Sequence, residues 1–139
     1  MKPNGDIRLY VDYRALNKAT KPDNYHLPRI DWLKASIKSK YFTTIDLKDG
    51  FYQIPVHKDS IPLTAMSVYG GSYEYVRMSF GLRNAPPTFQ RFMDIVLRGL
   101  KGMLAYIDDI VIYSDTLEEH LASLEELFAV AAKYGLNIN

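Results

Sequence analysis

The chain has 139 residues, of which 47% are hydrophobic and 24% charged, and it has no cysteine. This length corresponds to one domain, or one domain and a fragment, and the composition excludes disorder over most of the chain, disulfides, thiolate zinc sites and cysteine nucleophiles. The net charge of +1 hides an asymmetry, because residues 1–103 carry 16 Lys and Arg against 9 acidic residues, whereas residues 104–139 carry one Lys against 7. The basic part suggests a polyanionic partner, although an unevenly charged solvated surface would give the same counts.

The first half of the chain predicts two strands separated by a loop and a short helix. Apolar and polar residues alternate over 7–11, directly after an Asn-Gly turn signal, which predicts the first strand. Residues 20–28 contain two prolines together with Asp and Asn, and this composition is typical of a loop. Apolar residues at helical spacing over 30–37 predict a short helix, and the β-branched and aromatic run over 41–47 predicts the second strand.

The second half predicts two hairpins. Residues 63–69 and 72–78 flank Gly70-Gly71, a favourable two-residue hairpin turn. The segment 103–113 is apolar on both sides of Asp108-Asp109, which indicates a strand, a turn and a strand. Hairpins mixed with helices predict an α+β fold.

Two helices are also predicted in this half. Pro86 suits the first turn of a helix that is capped by Asn84 or Ala85 and ends at Gly99. Thr116, with Glu three residues later, predicts a capping box, and Gly135 would end the helix that follows. The apolar faces would consist of Phe89, Phe92, Val96 and Leu100 in the first helix and of Leu117, Leu121, Leu124, Phe128 and Ala131 in the second.

Asp108 and Asp109 are adjacent acids within an apolar hairpin. At about 4 Å and an effective dielectric constant near 20, two such charges repel by on the order of 4 kcal/mol. Divalent cations relieve this repulsion, and Mg²⁺ prefers one or two carboxylates together with phosphates and water. Asp46, near the end of the strand predicted at 41–47, would complete a three-carboxylate set for two metal ions. The alternative is a solvated turn, and spacing alone does not establish that the two strands are neighbours.

Five motifs resemble reverse transcriptases of gypsy-type (metavirus) LTR retrotransposons. Residues 106–109 (YIDD) are similar to the family's YxDD box, and residues 46–54 (DLKDGFYQI) to its first catalytic motif. Residues 80–90 (FGLRNAPPTFQ) and 11–17 (VDYRALN) resemble two further family motifs. Residues 25–30 are close to the YPLPRI segment, with His26 in place of the usual Pro. These motifs occur in the family's order over nearly the whole chain.

The resemblance implies an RNA-directed DNA polymerase with fingers at about 1–21 and 54–84 and a palm at about 22–53 and 85–139. The palm would be an antiparallel sheet backed by helices. The chain ends before the thumb and RNase H regions expected in the parent polyprotein. It therefore resembles a fragment, or a short domesticated reading frame. Leu63 stands where the family commonly has Lys.

The resemblance also implies roles for individual residues. Asp46, Asp108 and Asp109 would be the catalytic carboxylates that hold two Mg²⁺ ions, with Mn²⁺ as a substitute. The implied contacts to the incoming nucleotide are Lys2, Arg8, Asp49, Gly50 and Phe51, with Phe51 beneath the sugar. The implied contacts to template or primer are Gly81, Pro86, Gln90 and Tyr106. We leave open that Phe51 is a core residue, that Arg8 is an exposed strand residue and that Lys2 is a frayed terminus.

The expected partners are an RNA or DNA template with its primer and deoxynucleoside triphosphates. No apolar run approaches a membrane span and no apolar signal segment is present, so we expect no membrane partner and an intracellular location, in a retrotransposon particle for the parent element. His26, His57 and His120 have no metal-ligand spacing, and we expect them at the surface or in loops. The competing hypotheses are an inactive nucleic-acid-binding module and a protein-interaction remnant. A binding module gains nothing from three acids that repel phosphate without a metal, and the mark of an interaction remnant would be partner binding that is indifferent to Mg²⁺ and nucleic acid.

Overall fold

The computed structural model describes residues 10–29, 31 and 37–139. The predicted strand at 7–11 and the predicted helix at 30–37 fall largely outside them, and Val11 belongs to no strand. In the described residues the helices are α1 (Arg14–Ala19), α2 (Ala85–Val96) and α3 (Leu117–Tyr134), with 3-10 helices at Gly50–Gln53 and Lys58–Thr64. The strands are β1 (Tyr41–Asp46), β2 (Met66–Val68), β3 (Gly71–Tyr73), β4 (Met103–Tyr106) and β5 (Asp109–Ser114).

Strands β1, β5 and β4 form an antiparallel sheet with β5 in the centre. In β5 the alternate residues Ile110, Ile112 and Ser114 are buried, as expected for a strand with one face against the core. Helices α2 and α3 pack on this sheet. Phe89 and Met93 of α2, the two β5 isoleucines and Leu127 of α3 are almost fully buried in the resulting core. The α+β fold with an antiparallel sheet backed by helices is confirmed.

The small hairpin is shorter than predicted. Strands β2 and β3 pair antiparallel with Val68 opposite Gly71, so the two-residue turn is Tyr69-Gly70 and the Gly70-Gly71 prediction is wrong by one residue. The preceding segment up to Thr64 is a 3-10 helix instead of a strand. Thr64 explains this change, because its buried hydroxyl donates to the Ile61 carbonyl at 2.6 Å and accepts from the Tyr75 amide at 2.7 Å.

Helix α2 begins after Asn84, as predicted, with prolines in its first turn. It ends at Val96 rather than near Gly99, because the chain leaves helical geometry in the turn at Leu97. Helix α3 confirms its predicted ends. Thr116 and Glu119 form both hydrogen bonds of the capping box, and Gly135 adopts the left-handed conformation that ends the helix.

The buried face of α3 differs from the prediction. The buried residues are His120, Leu127 and Ala131, of which only Ala131 belongs to the predicted apolar face. Leu117, Leu121 and Phe128 of that face are about half exposed. His120 is only 6% exposed, so the expected surface position is wrong for this histidine. Its ring lies 2.7 Å from the Thr43 hydroxyl and 3.3 Å from the Ser114 hydroxyl. These partners satisfy both ring nitrogens and attach α3 to β1 and β5. His26 and His57 are exposed, as expected.

Candidate active site

The ends of β1 and β5 bring two of the predicted carboxylates together. The antiparallel register places Asp46 directly opposite Asp109. Opposed residues of an antiparallel pair project from the same face of the sheet with about 4.5–5.5 Å between their Cβ atoms. Like charges at such positions are destabilising. The fold therefore maintains a repulsive pair where a polar or apolar pair would be more stable.

Asp108 lies in the turn between β4 and β5. Its carbonyl oxygen accepts the Leu47 amide at 3.1 Å, which links the turn to the chain just beyond Asp46. Its carboxylate covers Gly50, because a Cβ atom at that position would lie 2.9 Å from Asp108 Oδ2. Asp49 and Gly50 have φ angles of 59° and 34°, and this left-handed pair turns the chain beneath the carboxylate. Only glycine fits position 50 without displacing Asp108.

The hairpin turn also contains a strained residue. Ile107 has a φ of 57°, a left-handed conformation that a β-branched side chain strongly disfavours. Such a conformation costs on the order of 1–3 kcal/mol and persists only where the surroundings enforce it. The Ile107 amide donates to Gln90 Oε1 at 2.9 Å, and Gln90 Nε2 donates to the Ala105 carbonyl at 3.0 Å. The buried amide of Gln90 therefore holds the hairpin from the side of α2.

The three acids influence one another electrostatically. Burial raises the pKa of Asp109, and the charges of Asp108 and Asp46 raise it further. None of the ion pairs formed within the described ranges involves these three carboxylates. The charge at this end of the sheet is therefore not compensated by a basic side chain of the described chain.

The three carboxylates are the groups expected to bind the divalent ions. Aspartate oxygens are the ligands that Mg²⁺ and Mn²⁺ prefer, and the mutual repulsion at Asp109 is of the kind that a cation relieves. As the side chains lie, however, no three acidic or histidine groups within residues 10–29, 31 and 37–139 are gathered closely enough to hold an ion. The convergence of all three carboxylates on one metal site stays a prediction, and the backbone places Asp46 opposite Asp109 with Asp108 in the adjoining turn. The ligand chemistry of the three aspartates fits divalent ions.

Asp46 has a support that the sequence did not reveal. Asn139 Nδ2 donates to Asp46 Oδ2 at 3.0 Å, and the Asn139 amide donates to the Asp46 carbonyl at 2.9 Å. The neighbouring residues of the C-terminal segment make similar contacts: Ile138 forms a β-bridge with Leu47, and the Asn137 carbonyl accepts the Lys48 amide. Nothing in the sequence links Asn139 to a carboxylate 93 positions earlier. The contact arises only because α3 returns the chain to the edge of β1.

Comparison with known proteins identifies the family. Residues 1–139 match the family described as reverse transcriptase (RNA-dependent DNA polymerase). The chain belongs to the reverse transcriptase family. It is 49% identical over 134 residues to the retrovirus-related Pol polyprotein from transposon 297 of Drosophila melanogaster, covering 94% of this chain and 13% of that protein. It is 42% identical over 125 residues to the corresponding polyprotein from transposon gypsy of the same species, covering 88% of this chain and 12% of that protein. The resemblance to gypsy-type elements is thereby confirmed.

Solved reverse transcriptases share the fold. The foamy viral protease-reverse transcriptase in complex with double-stranded DNA superposes with a TM-score of 0.94 at 31% identity, covering 100% of this chain and 25% of that one. The same viral enzyme with an RNA/DNA hybrid superposes with a TM-score of 0.91 at 31% identity, covering 99% and 19%. The chain spans only 12–14% of the length of three Drosophila polyproteins that it matches.

The residues expected to contact the incoming nucleotide are distributed unevenly in this reverse transcriptase chain. Lys2 and Arg8 lie outside the described residues. Asp49 is exposed, next to the buried Gly50. Phe51 is half-buried, with its ring centre 5.1 Å from that of Phe80 and 5.6 Å from that of Phe89. Its ring is anchored at the edge of the core and remains partly open.

The residues expected to contact template or primer also differ in placement. Gly81 has a φ of 89° and lies against α1, where its carbonyl accepts Asn17 Nδ2 at 2.8 Å. Pro86 is half-buried in the first turn of α2, and Tyr106 is half-buried opposite Asp109. Gln90 is 1% exposed, and its amide is occupied by internal hydrogen bonds. Gln90 therefore has a structural role in this fold, and its expected template contact stays a prediction.

Proposed function

We propose that this chain is the catalytic core of an RNA-directed DNA polymerase, which transfers a deoxynucleotide to a primer 3′-hydroxyl with two divalent metal ions. The observation that carries the proposal is the register of β1 and β5, which sets Asp46 against Asp109 with Asp108 beside them. A fold gains no stability from three clustered acids, whereas phosphoryl transfer requires such a cluster to bind its metals. Membership of the reverse transcriptase family supports this assignment.

Asp46, Asp108 and Asp109 would hold the metal ions. Bound there, the ions would activate the primer hydroxyl and neutralise charge on the transferred phosphate and on the leaving pyrophosphate. The residues around the carboxylates would keep them in position. Gly50 leaves room for the Asp108 carboxylate, Gln90 holds the hairpin turn, and Asn139 orients one oxygen of Asp46. Most of the catalytic effect would therefore come from orientation and electrostatics, since no side chain forms a covalent bond with the substrate.

The nucleotide would lie over the turn at Asp49 and Gly50. This left-handed turn lies next to the Asp108 carboxylate, where the triphosphate is expected. Phe51, which directly follows, would support the sugar, while Arg8 and Lys2 would contact the phosphates. We retain the division into fingers at about 1–21 and 54–84 and a palm at about 22–53 and 85–139 as part of this proposal.

The partners would be a primer annealed to an RNA or DNA template, together with deoxynucleoside triphosphates. The related foamy viral enzyme was solved with double-stranded DNA and with an RNA/DNA hybrid, which supports nucleic acid as the partner of this chain. Gly81, Pro86 and Tyr106 are the proposed contacts to template or primer. Within the described ranges no helix is both long and apolar enough to cross a membrane. An intracellular, particle-associated location of the parent element stays a prediction.

Primer extension on an RNA template with Mg²⁺ tests the proposal. The chain should extend the primer, Asp108→Asn should abolish extension, and Asp115→Asn should act as the matched control because Asp115 is an exposed acid beyond the end of β5. A circular dichroism spectrum should show that all three proteins are folded. Extension by Asp108→Asn at the unsubstituted rate would refute the two-metal assignment.

A second candidate is a catalytically inactive nucleic-acid-binding remnant. The side-chain positions favour this hypothesis, because no three carboxylates of the described residues lie close enough together to bind a metal ion. Under this hypothesis the unsubstituted chain binds an RNA–DNA duplex with equal affinity in Mg²⁺ and in chelator, and never extends it. Extension by the unsubstituted chain alone would exclude this candidate.

A further inference from the structure

A chain of hydrogen bonds connects the catalytic hairpin to a surface loop. On α2, Gln90 Nε2 donates to Asp94 Oδ1 at 2.9 Å. The second oxygen of Asp94 accepts the Tyr25 hydroxyl at 2.5 Å, and Tyr25 belongs to the loop at 20–29. The Arg91 guanidinium lies 4.8 Å from the centre of the Tyr25 ring and pairs with Asp23 at 2.5 Å. The tyrosine is therefore held on its face as well as at its hydroxyl.

The hydrogen bonds of the Gln90 side chain show how Asp94 determines the orientation of its amide. A glutamine amide has two N–H donors and one carbonyl oxygen. Both donors are used, by Ala105 and Asp94, and the oxygen accepts the Ile107 amide. A carboxylate only accepts hydrogen bonds, so Asp94 fixes the NH₂ group on its own side. A flipped amide would place oxygen against oxygen at Asp94 and at Ala105, and N–H against N–H at Ile107.

The amide orientation matters because Ile107 is held in an unfavourable conformation. Its left-handed φ of 57° directs the backbone into the turn that carries Asp108 and Asp109. A strained residue of this kind keeps its conformation only while its neighbours enforce it. The bond from the Ile107 amide to Gln90 is one such enforcing contact, and its geometry depends on the orientation that Asp94 sets.

We infer that Asp94 and Tyr25 are positioning residues for the hairpin of Asp108 and Asp109, acting through the amide of Gln90. Neither residue touches the carboxylates. Tyr25 fixes Asp94 from the loop, Asp94 fixes Gln90, and Gln90 fixes the Ile107 turn. The catalytic value of this relay rests on the proposed polymerase function, whereas the physical linkage does not.

Tyr25 carries a secondary signature of the same contact. The hydrogen bond to Asp94 raises the pKa of the Tyr25 hydroxyl, with a smaller contribution from burial. Removal of the Asp94 carboxylate should therefore lower the Tyr25 pKa toward its ordinary value, which an NMR titration that resolves the Tyr25 ring can follow.

Amide hydrogen exchange of the complete ¹⁵N-labelled chain, without metal or nucleic acid, tests the relay. Asp94→Ala should reduce the protection of the Ile107 amide by about tenfold or more while the amide of the buried Ile112 keeps its protection, as expected for a local opening. Tyr25→Phe, which removes only the hydroxyl, should reduce Ile107 protection by a smaller factor. Tyr69→Phe is the matched control, because Tyr69 is fully exposed at the tip of the small hairpin, and it should change neither amide.

Unchanged Ile107 protection in Asp94→Ala would overturn the inference. Equal loss of protection at Ile107 and Ile112 would overturn it as well, because that result describes general destabilisation instead of a link to the hairpin. Since exchange is measured without catalysis, a chain that fails to extend a primer can still confirm the relay. An active polymerase can likewise refute it.

Discussion

Asp109 lies close to two other carboxylates, Asp108 and Asp46. Burial and the neighbouring Asp108 and Asp46 raise its pKa, so the folded protein binds a proton there more readily than the unfolded chain does. A group whose pKa is raised in the folded state stabilises the fold fully at pH values below its unfolded pKa of about 3.9. This stabilisation is lost as pH rises through the folded pKa. At neutral pH the ionised Asp109 is therefore a destabilising group.

Asp109→Asn should consequently raise the melting temperature at pH 7. The gain should shrink as pH is lowered through the raised pKa of Asp109, because the unsubstituted protein then protonates Asp109 itself. Thermal unfolding across this pH range, without divalent ions, measures the effect, and Asp115→Asn should show no comparable gain. A lower melting temperature for Asp109→Asn at pH 7 would contradict the repulsion.

Asn139 provides a second prediction for a single residue. Its side chain orients Asp46 Oδ2, and loss of a hydrogen-bond partner behind a metal ligand typically weakens binding by 10- to 100-fold. Asn139→Ala should weaken Mn²⁺ binding by on the order of tenfold, measured by water proton relaxation. Asn137→Ala is the control, because Asn137 bonds to Lys48 and Gln53 through its backbone. Equal affinities for the two variants would argue against the orienting role.

Phe51 distinguishes sugar selection from packing. Its ring rests on Phe80 and Phe89 but is only half-buried, so a face remains for a ligand. If it lies beneath the sugar, Phe51→Ala should admit ribonucleotides while deoxynucleotide use falls modestly. The variant should also lose less than the roughly 3–5 kcal/mol of a fully buried Phe→Ala substitution. Incorporation ratios measured beside a melting curve decide between these roles, and an unchanged ratio in a folded variant would leave only packing.

At the scale of the elements, the N-terminus of α3 gives a stability prediction. The Thr116 hydroxyl accepts the Glu119 amide at 3.2 Å, and the Glu119 carboxylate accepts the Thr116 amide at 3.3 Å. Thr116→Ala should reduce the free energy of unfolding by about 1 kcal/mol, the typical cost of a lost cap. Urea denaturation measures it. Thr116→Ser retains the hydroxyl and should be nearly neutral, and a comparable loss in that variant would assign the effect to the threonine methyl group.

The elements also show where sequence patterns stop being informative. The ends of α3 were predictable because capping boxes and C-terminal glycines act locally. Its buried face was not, because the pattern counted Leu117 and Leu121 as core and treated His120 as a surface residue. The structure buries His120 because Thr43 and Ser114 satisfy its ring, and both partners lie on strands distant in sequence. Tertiary hydrogen bonds thus outweighed hydrophobic periodicity.

The sequence was sufficient to predict which residues form the candidate site, but not how they are placed relative to one another. The three acids stood out because unpaired charge in apolar strands requires a physical explanation. Their positions relative to one another depend on the pairing of β1 with β5. Between Asp46 at the end of β1 and Asp109 at the start of β5 the chain has 62 residues. Local patterns carry no information on such pairing, and they gave no sign of the support from Asn139 either.

For the whole molecule, the uneven charge distribution predicts salt-sensitive nucleic-acid binding. Residues 1–103 carry a surplus of seven positive charges, 16 against 9, and can form several phosphate contacts. Each neutralised phosphate contributes about −0.9 to the slope of log affinity against log salt for B-form DNA. Affinity for a short duplex, measured by fluorescence anisotropy, should therefore fall steeply as salt rises from about 50 to 200 mM.

The acidic segment supplies the control. Lys133 is the only Lys or Arg after position 103, so Lys133→Gln should leave the salt slope unchanged. A tight complex that is indifferent to a rise in salt would show that phosphate contacts do not dominate binding.

The position of Gln90 has a consequence for self-association. Among the described residues β4 is an outer strand of its sheet, and the Ala105 carbonyl of β4 and the Ile107 amide just beyond it are groups that a further strand would engage. The Gln90 side chain offers one donor and one acceptor to them, as the peptide group of a neighbouring strand would. Open strand edges are templates for pairing with other molecules. One side-chain amide thus occupies the two edge groups next to the hairpin of Asp108 and Asp109, and a chain without it would leave both open to pairing with a second copy.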